Sequence, residues 1–235
     1  MANVSRRDFL RGGALGLAAA GAGYYLLHSD AGPTESSGGL GHYGVTSASA
    51  EEMDLPDARS AAGQPTEDNI LGPFHRPGAP FRAKITPPLA AGIVLLVKGR
   101  VWGYDTKKPV AGAVIDIWQA SAQGRYDNDD PQDPPAAGGF RNRARVMTDE
   151  NGAYEFETVH PGRYKNGSEW RPAHVHYWVR HRRYRELITQ LYFKGDPYNN
   201  ADPFIKPSLI MPVSQRTIGA GSYELVNFDI VLAPL

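Results

Sequence analysis

His174 and His176 stand one residue apart in the segment WRPAHVHYWVRHRRYRELITQLYFKGDP, residues 170–197, with Arg171 just before them and Gln190 after. On a strand covering Ala173 to Val179, alternate side chains share a face, so both imidazoles project together and can reach a single metal ion. Imidazole suits several transition metals, and two histidines make only half of a four-ligand shell. The other reading of the pair is two partly buried histidines satisfied by backbone carbonyls. Cysteine is absent from all 235 residues. That excludes disulfides, thiolate metal sites, iron–sulfur clusters and a lipid-modified N-terminal cysteine, and leaves histidine, carboxylate or tyrosine as further ligands. Tyr126 and Tyr164 are candidates. Each follows a Gly-Arg pair in a long polar loop, although either of them, taken alone among 12 tyrosines, reads as readily as a structural residue.

Short strands must carry these residues. Ile93 to Tyr104, Ala111 to Gln119, Arg143 to Thr148, Ala153 to Thr158, Ala173 to Val179, Glu186 to Phe193 and Tyr223 to Leu232 read as strands. In the second, Val114, Asp116 and Trp118 share one face and Ala113, Ile115 and Ile117 the other, so both faces are substantially buried. Asp149-Glu150-Asn151-Gly152 reads as a hairpin turn, because Asn-Gly tolerates positive φ. Two long loops, Ser121 to Gly139 and His160 to Arg171, hold the two tyrosines. With 26 Gly and 19 Pro against 41% hydrophobic residues, the composition suits a loop-rich β protein. The expectation is a mainly β fold, an antiparallel β-sandwich of Greek-key type with long active-site loops. Charge is balanced, 25 basic residues against 25 acidic, so nothing electrostatic favours nucleic acid or an anionic membrane surface.

The order of motifs then becomes specific. Leu71-Gly72-Pro73-Phe74, Gly99-Arg100-Val101, Pro109-Val110-Ala111-Gly112-Ala113, Trp118-Gln119-Ala120 and Gly124-Arg125-Tyr126 come first. Thr148-Asp149-Glu150-Asn151-Gly152, Tyr154-Glu155-Phe156, Pro161-Gly162-Arg163-Tyr164, Arg171-Pro172-Ala173-His174-Val175-His176 and Leu187-Ile188-Thr189-Gln190-Leu191-Tyr192-Phe193 follow. Across residues 65–235 the chain resembles the intradiol ring-cleavage dioxygenases, the catechol and protocatechuate dioxygenase family. The resemblance implies a mononuclear non-haem Fe(3+) held by Tyr126, Tyr164, His174 and His176, with Tyr164 and His176 axial and Tyr126 and His174 equatorial. Tyr164 would also act in catalysis, with Arg171 and Gln190 beside the substrate. Paired phenolates are hard, charged donors suited to a trivalent ion, which in turn favours their ionised form. The implied reaction inserts O2 between the two hydroxyl-bearing carbons of a catecholic aromatic, giving a cis,cis-muconate-type diacid.

Some features depart from the family. The N-terminal helical segment used for dimer contact in catechol-type members is replaced by a linker, no second related chain is evident, and a homo-oligomer stays open. His75 stands where relatives often carry Tyr, and is read as a surface histidine or an altered pocket residue. The basic run His181-Arg182-Arg183-Tyr184-Arg185 is read as an exposed turn, with attraction of an acidic substrate tail as the other reading. The alternative function is a non-catalytic secreted β-sandwich binding module, because Val97 to Tyr164 also resembles carboxypeptidase-regulatory-like domains; those need neither the His-x-His nor the loop tyrosines.

Ser5-Arg6-Arg7-Asp8-Phe9-Leu10 followed by an apolar run to Leu27 resembles a twin-arginine export signal. Residues 1–28 are read as that signal, 29–64 as a flexible linker and 65–235 as the catalytic domain. The expectation is export, periplasmic or extracellular, through the twin-arginine translocase, with a membrane tether if the signal is not cleaved.

Overall fold

Strand β1 (Val94–Gly103) is long enough to take two partners on one side and one on the other. In the computed structural model, which describes residues 63–235, its first half pairs in parallel with β11 (Gly221–Asn227) and its second half in parallel with β12 (Ile230–Leu232). Its opposite edge pairs antiparallel with β4 (Ala153–Val159), and β10 (Ser214–Ile218) extends the sheet beyond β11. The second sheet has the order β3 (Arg143–Met147), β2 (Val114–Gln119), β7 (His174–His181), β8 (Tyr184–Phe193), β9 (Ile210–Met211). Between the sheets lies one apolar core that includes Val97, Phe156, Ile115, Ile117, Val175, Tyr177, Leu191 and Phe228. The β-sandwich expected from the sequence is present. Its sheets are mixed, because β1 runs parallel to both of its C-terminal neighbours and β8 runs parallel to β9.

Three local readings change. The Asp149–Gly152 turn is real: the Asp149 carboxylate accepts from the backbone N–H of Asn151 at 2.9 Å and of Ala153 at 2.8 Å. It is no hairpin, however, since β3 pairs with β2 and β4 with β1, so the turn carries the chain from one sheet to the other. Asn-Gly reports the dihedral angle, not the pairing partner. The last predicted strand is two strands, divided at Phe228 and Asp229, where Asp229 accepts the Arg100 N–H at 2.8 Å and Phe228 N–H donates to the Lys98 carbonyl at 2.8 Å. The loop from His160 contains a two-stranded ribbon of β5 (Tyr164–Asn166) and β6 (Glu169–Arg171).

The segment before β1 runs from β12 of the first sheet to β8 of the second. Thr66 N–H bonds the Val231 carbonyl at 2.9 Å, Asn69 N–H bonds Ile188 at 2.8 Å, and Gln190 Nε2 donates to the Ile70 carbonyl at 2.8 Å. Among the described residues the only helical turn is a 3-10 turn at Pro207–Leu209. The export-signal reading and nearly all of the linker reading lie outside the described residues.

Candidate active site

β7 sends Val175, Tyr177 and Val179 into the sandwich core, so period 2 sends His174, His176, Trp178 and Arg180 to the outer face. Both histidines are nonetheless buried, because loops cover that face. Their Nε2 atoms lie 3.2 Å apart. Trp118, opposite His176 in the β2–β7 register, stacks on its ring at 4.7 Å and 6°. His174 Nδ1 donates to the Pro172 carbonyl at 2.7 Å, which fixes the tautomer and turns an Nε2 lone pair towards His176 and the Tyr164 hydroxyl, 3.4 Å away. The pairing of both histidines with backbone carbonyls holds for His174 alone; the Nδ1 of His176 is buried without a partner.

The two tyrosines arrive on loops that touch backbone to backbone. A Cβ on Gly124 would lie 2.0 Å from the Arg163 carbonyl oxygen, and one on Gly162 would lie 2.4 Å from the Gly124 nitrogen. The glycine in each Gly-Arg-Tyr sequence is therefore what lets the loops come together. Gly162 N–H ties them further by donating to the Ser121 carbonyl at 2.8 Å. The Tyr126 and Tyr164 rings meet edge-on at 5.4 Å, and Phe74 stacks on Tyr126 at 4.2 Å. The Tyr126 hydroxyl is buried with no hydrogen-bond partner. Behind Tyr126, fully buried Arg143 binds Asp127 through Nε at 2.7 Å and Asn128 at 2.7 Å, while Arg76 binds the other Asp127 oxygen at 2.6 Å.

Arg171 and Gln190 complete the site as one network. Arg171 pairs with the buried Asp202 carboxylate and donates to Gln190 Oε1 at 3.0 Å and to the Tyr192 hydroxyl at 3.1 Å. Tyr192 also donates to Gln190 Oε1 at 2.7 Å. Gln190 thus holds the guanidinium in place. Asp196 pins the start of β7 by accepting Ala173 N–H at 3.1 Å and Arg163 Nε at 2.8 Å.

Without a cation this cluster is electrostatically unfavourable. Burial, with Tyr164 second, pushes the Tyr126 hydroxyl well above the ordinary phenol range; burial also raises Tyr164, while Arg171 opposes that rise. Burial, then the Arg171 charge, pushes His174 down to about 3, and burial followed by His174 pushes His176 well down. Neutral imidazole lone pairs facing each other beside two neutral phenols are what a multivalent cation would convert into ligands. No cluster of three or more His, Cys, Asp or Glu side chains suited to a metal occurs among the described residues, so a metal here needs the tyrosines. The donor set fits a hard, high-valent ion.

All six residues singled out in the sequence therefore gather at one place. Tyr192, Asp202, Asp127 with Arg143, and the Trp118 stack were not singled out. Trp118 had a sequence signal in its shared face with Asp116 on β2, and Tyr192 in its shared face with Gln190 on β8; Asp202 and Asp127 depend on which loops meet. His75 is not a surface residue: it is half-buried, edge-on to Trp118 at 4.7 Å and to Trp178 at 5.2 Å, because the N-terminal segment lays it over the outer face. Arg182, Arg183 and Arg185 are exposed at the β7–β8 turn, about 20 Å from His174 by strand rise.

A buried His/Tyr/Arg cluster under loops on a β-sandwich gathers donors suited to a hard metal ion. The family model described as Dioxygenase (Dioxygenase_C) matches residues 77–234. A chlorocatechol 1,2-dioxygenase of Rhodococcus opacus is 34% identical over 193 residues, covering 72% of this chain and 73% of the relative. A protocatechuate 3,4-dioxygenase beta chain of Burkholderia cepacia is 36% identical over 174 residues, covering 69% of this chain and 73% of that one. A solved dioxygenase domain of a dioxygenase–carbohydrate-binding fusion from Streptomyces sp. SirexAA-E superposes with TM-score 0.61 at 32% identity. That match covers 73% of this chain and 100% of the Streptomyces chain. The chain belongs to the intradiol ring-cleavage dioxygenase family and is an oxidoreductase, not a binding module.

Proposed function

We propose that this chain is an exported Fe(3+)-dependent intradiol dioxygenase, with Tyr126, Tyr164, His174 and His176 as the iron ligands and a catecholic aromatic and O2 as substrates. The observation that carries the proposal is the meeting of two imidazole Nε2 atoms 3.2 Å apart, with the Tyr164 hydroxyl 3.4 Å from one of them and the unpartnered Tyr126 hydroxyl in the same cluster. When bound, ferric iron supplies a Lewis acid that draws electron density from a catecholate and makes its ring reactive towards O2.

The chain's own residues do the rest. Tyr164, only half-buried and lining the cleft that opens to solvent, would be held as a phenolate when it ligates the ion and would then take up a catechol proton at that oxygen as substrate enters. Tyr126, buried and backed by Arg143, is placed to remain fixed. The Arg171 guanidinium, locked by Asp202, Gln190 and Tyr192, offers a preorganised positive charge where the ring and reduced oxygen become anionic. Loops exclude water from the His174–His176 side. Both oxygen atoms end in the product, a cis,cis-muconate-type diacid. The twin-arginine translocase, the export partner the N-terminal motif suggests, carries folded proteins and so suits a chain that acquires its metal first.

Purified protein should contain about one iron per chain and show a burgundy tyrosinate-to-Fe(3+) absorption band. It should take up oxygen with catechol, protocatechuate or hydroxyquinol. Colourless protein that stays colourless and inactive after iron reconstitution overturns the proposal. Export is tested separately, by fractionating cells that express Arg6-Arg7→Lys-Lys beside the wild type.

A further inference from the structure

A cleft of about 430 Å³ leads from solvent to Tyr126 and Tyr164. Its lining combines four aromatic rings, Phe74, Trp170 and the two tyrosines, with three cations, Arg125, Arg163 and Lys165. Two of those cations are already neutralised. Arg125 Nε pairs with Asp129 at 2.8 Å, and Arg163 Nε with the buried Asp196 carboxylate at 2.8 Å. Lys165 has no carboxylate partner among the described residues. Its ammonium instead lies 5.5 Å from the centre of the Trp170 ring, directly opposite it in the β5–β6 ribbon. Trp170 is itself braced by Tyr198, stacked at 5.6 Å and 22°, so this cation is held on an aromatic support. The same ribbon begins with Tyr164, which fixes the distance between the cation and the reacting end of the cleft.

We propose that Lys165 is the specificity-determining residue of this site, and that the preferred substrate is a catechol bearing an anionic side group remote from its two hydroxyls. This rests on the ring-cleavage reading of the site. An unpaired ammonium at the mouth of a partly enclosed cleft attracts such a group without the cost of breaking an existing ion pair, whereas Arg125 and Arg163 would first have to leave theirs. The planar ring would lie between Phe74 and Trp170, both already placed as cleft walls.

The test compares 3,4-dihydroxyphenylacetate with its amide, 3,4-dihydroxyphenylacetamide, which match in size and differ in charge. The readouts are kcat/KM by oxygen uptake and, independently, affinity by calorimetry on the protein as purified. Wild type should favour the acid by about three- to tenfold in both readouts, with the preference shrinking as salt is raised. Lys165→Gln should bring the ratio to near one and Lys165→Glu should invert it. Trp170→Leu, which removes only the support, should give an intermediate ratio. If wild type and Lys165→Gln show the same ratio, the assignment of Lys165 is overturned while ring cleavage stands. If the acid binds preferentially through Lys165 but no oxygen is consumed with either compound, the cleft assignment stands and the ring-cleavage reading falls. Failure of both compounds to bind overturns both.

Discussion

Over its first half β7 is buried on both faces, and the two faces obey opposite rules. On one face Val175, Tyr177 and Val179 are 0% exposed and pack into the apolar core between the sheets, so their burial is mainly a matter of area and fit. On the other, His174 and His176 are 2% and 1% exposed, yet they are covered by loops and surrounded by groups that need partners. The inner face leaves only the Tyr177 hydroxyl without a partner in an otherwise apolar setting. The outer face carries an unpartnered Tyr126 hydroxyl, an unpartnered His176 Nδ1 and imidazoles aimed at one another, and completion requires something the chain does not contain. A strand can thus be held in place by one face while the other holds chemistry that alone would not be stable.

The sharpest way to separate the faces is His176→Ala. Removing one of four proposed ligands should abolish stoichiometric iron and the charge-transfer band, and lower turnover by at least roughly a thousandfold, since outer partners of metal ligands alone cost about 10- to 100-fold. Circular dichroism should remain that of a folded β protein. A fully active, iron-loaded variant would sink the ligand assignment. Tyr164→Phe should keep the fold and lose most turnover, because it removes the proton acceptor at the cleft.

Gly124→Ala attacks the outer face from its loops. Its φ is +76°, and the added methyl would meet the Arg163 carbonyl at 2.0 Å. Left-handed strain plus overpacking should cost about 2–4 kcal/mol in denaturant titration. Tyr126 and Tyr164 should separate as the loops part, so iron affinity should fall with stability. Wild-type iron affinity in this variant would show that the contact between the loops does not set the site. Arg143→Met should come next. It leaves Asp127 beside Tyr126 with Arg76 as its remaining cation, a loss of about 2–4 kcal/mol. The burgundy band should shift as well, because Arg143 lies 6.0 Å from the Tyr126 ring centre; an unmoved band would limit Arg143 to a structural role.

The comparison also explains what could be read from the sequence. The inner face repeats every second residue, and that period gives β1, β2, β3, β4, β7 and β8 with ends displaced by no more than three residues. It also gives His174 and His176 a common side. β9, β10 and the β5–β6 ribbon carry little alternation, since β10 is mostly exposed and the ribbon is polar, so their existence depends on pairing. The outer face is set by long-range contacts with no period at all: Arg171 reaches Asp202, Arg143 reaches Asp127, and His75 crosses to Trp118. Family resemblance supplied the four proposed ligands and two of their neighbours, because those sit within short motifs. It could not supply Asp202, whose partner lies 31 residues away, or the meeting of the Gly124 and Gly162 loops.

Gly72→Ala should have the smallest effect, and it tests the outer face alone. Gly72 has φ +71°, and a Cβ there would sit 3.2 Å from His176 Cε1, closer than ordinary contact yet short of a collision with backbone. The left-handed backbone should cost roughly 1 kcal/mol. The remaining strain must be absorbed by a few tenths of an ångström in the His176 ring, which is pressed from its other side by the Trp118 stack at 4.7 Å. The core-facing side of β7 does not feel this contact, so thermal unfolding should shift by only a few degrees. The charge-transfer band should shift and iron release to a chelator should quicken, because His176 is the proposed ligand being pushed. If stability falls while the band and the release rate stay at wild-type values, Gly72 serves only its own turn, and the Trp118–His176 stack is not under pressure from the N-terminal segment.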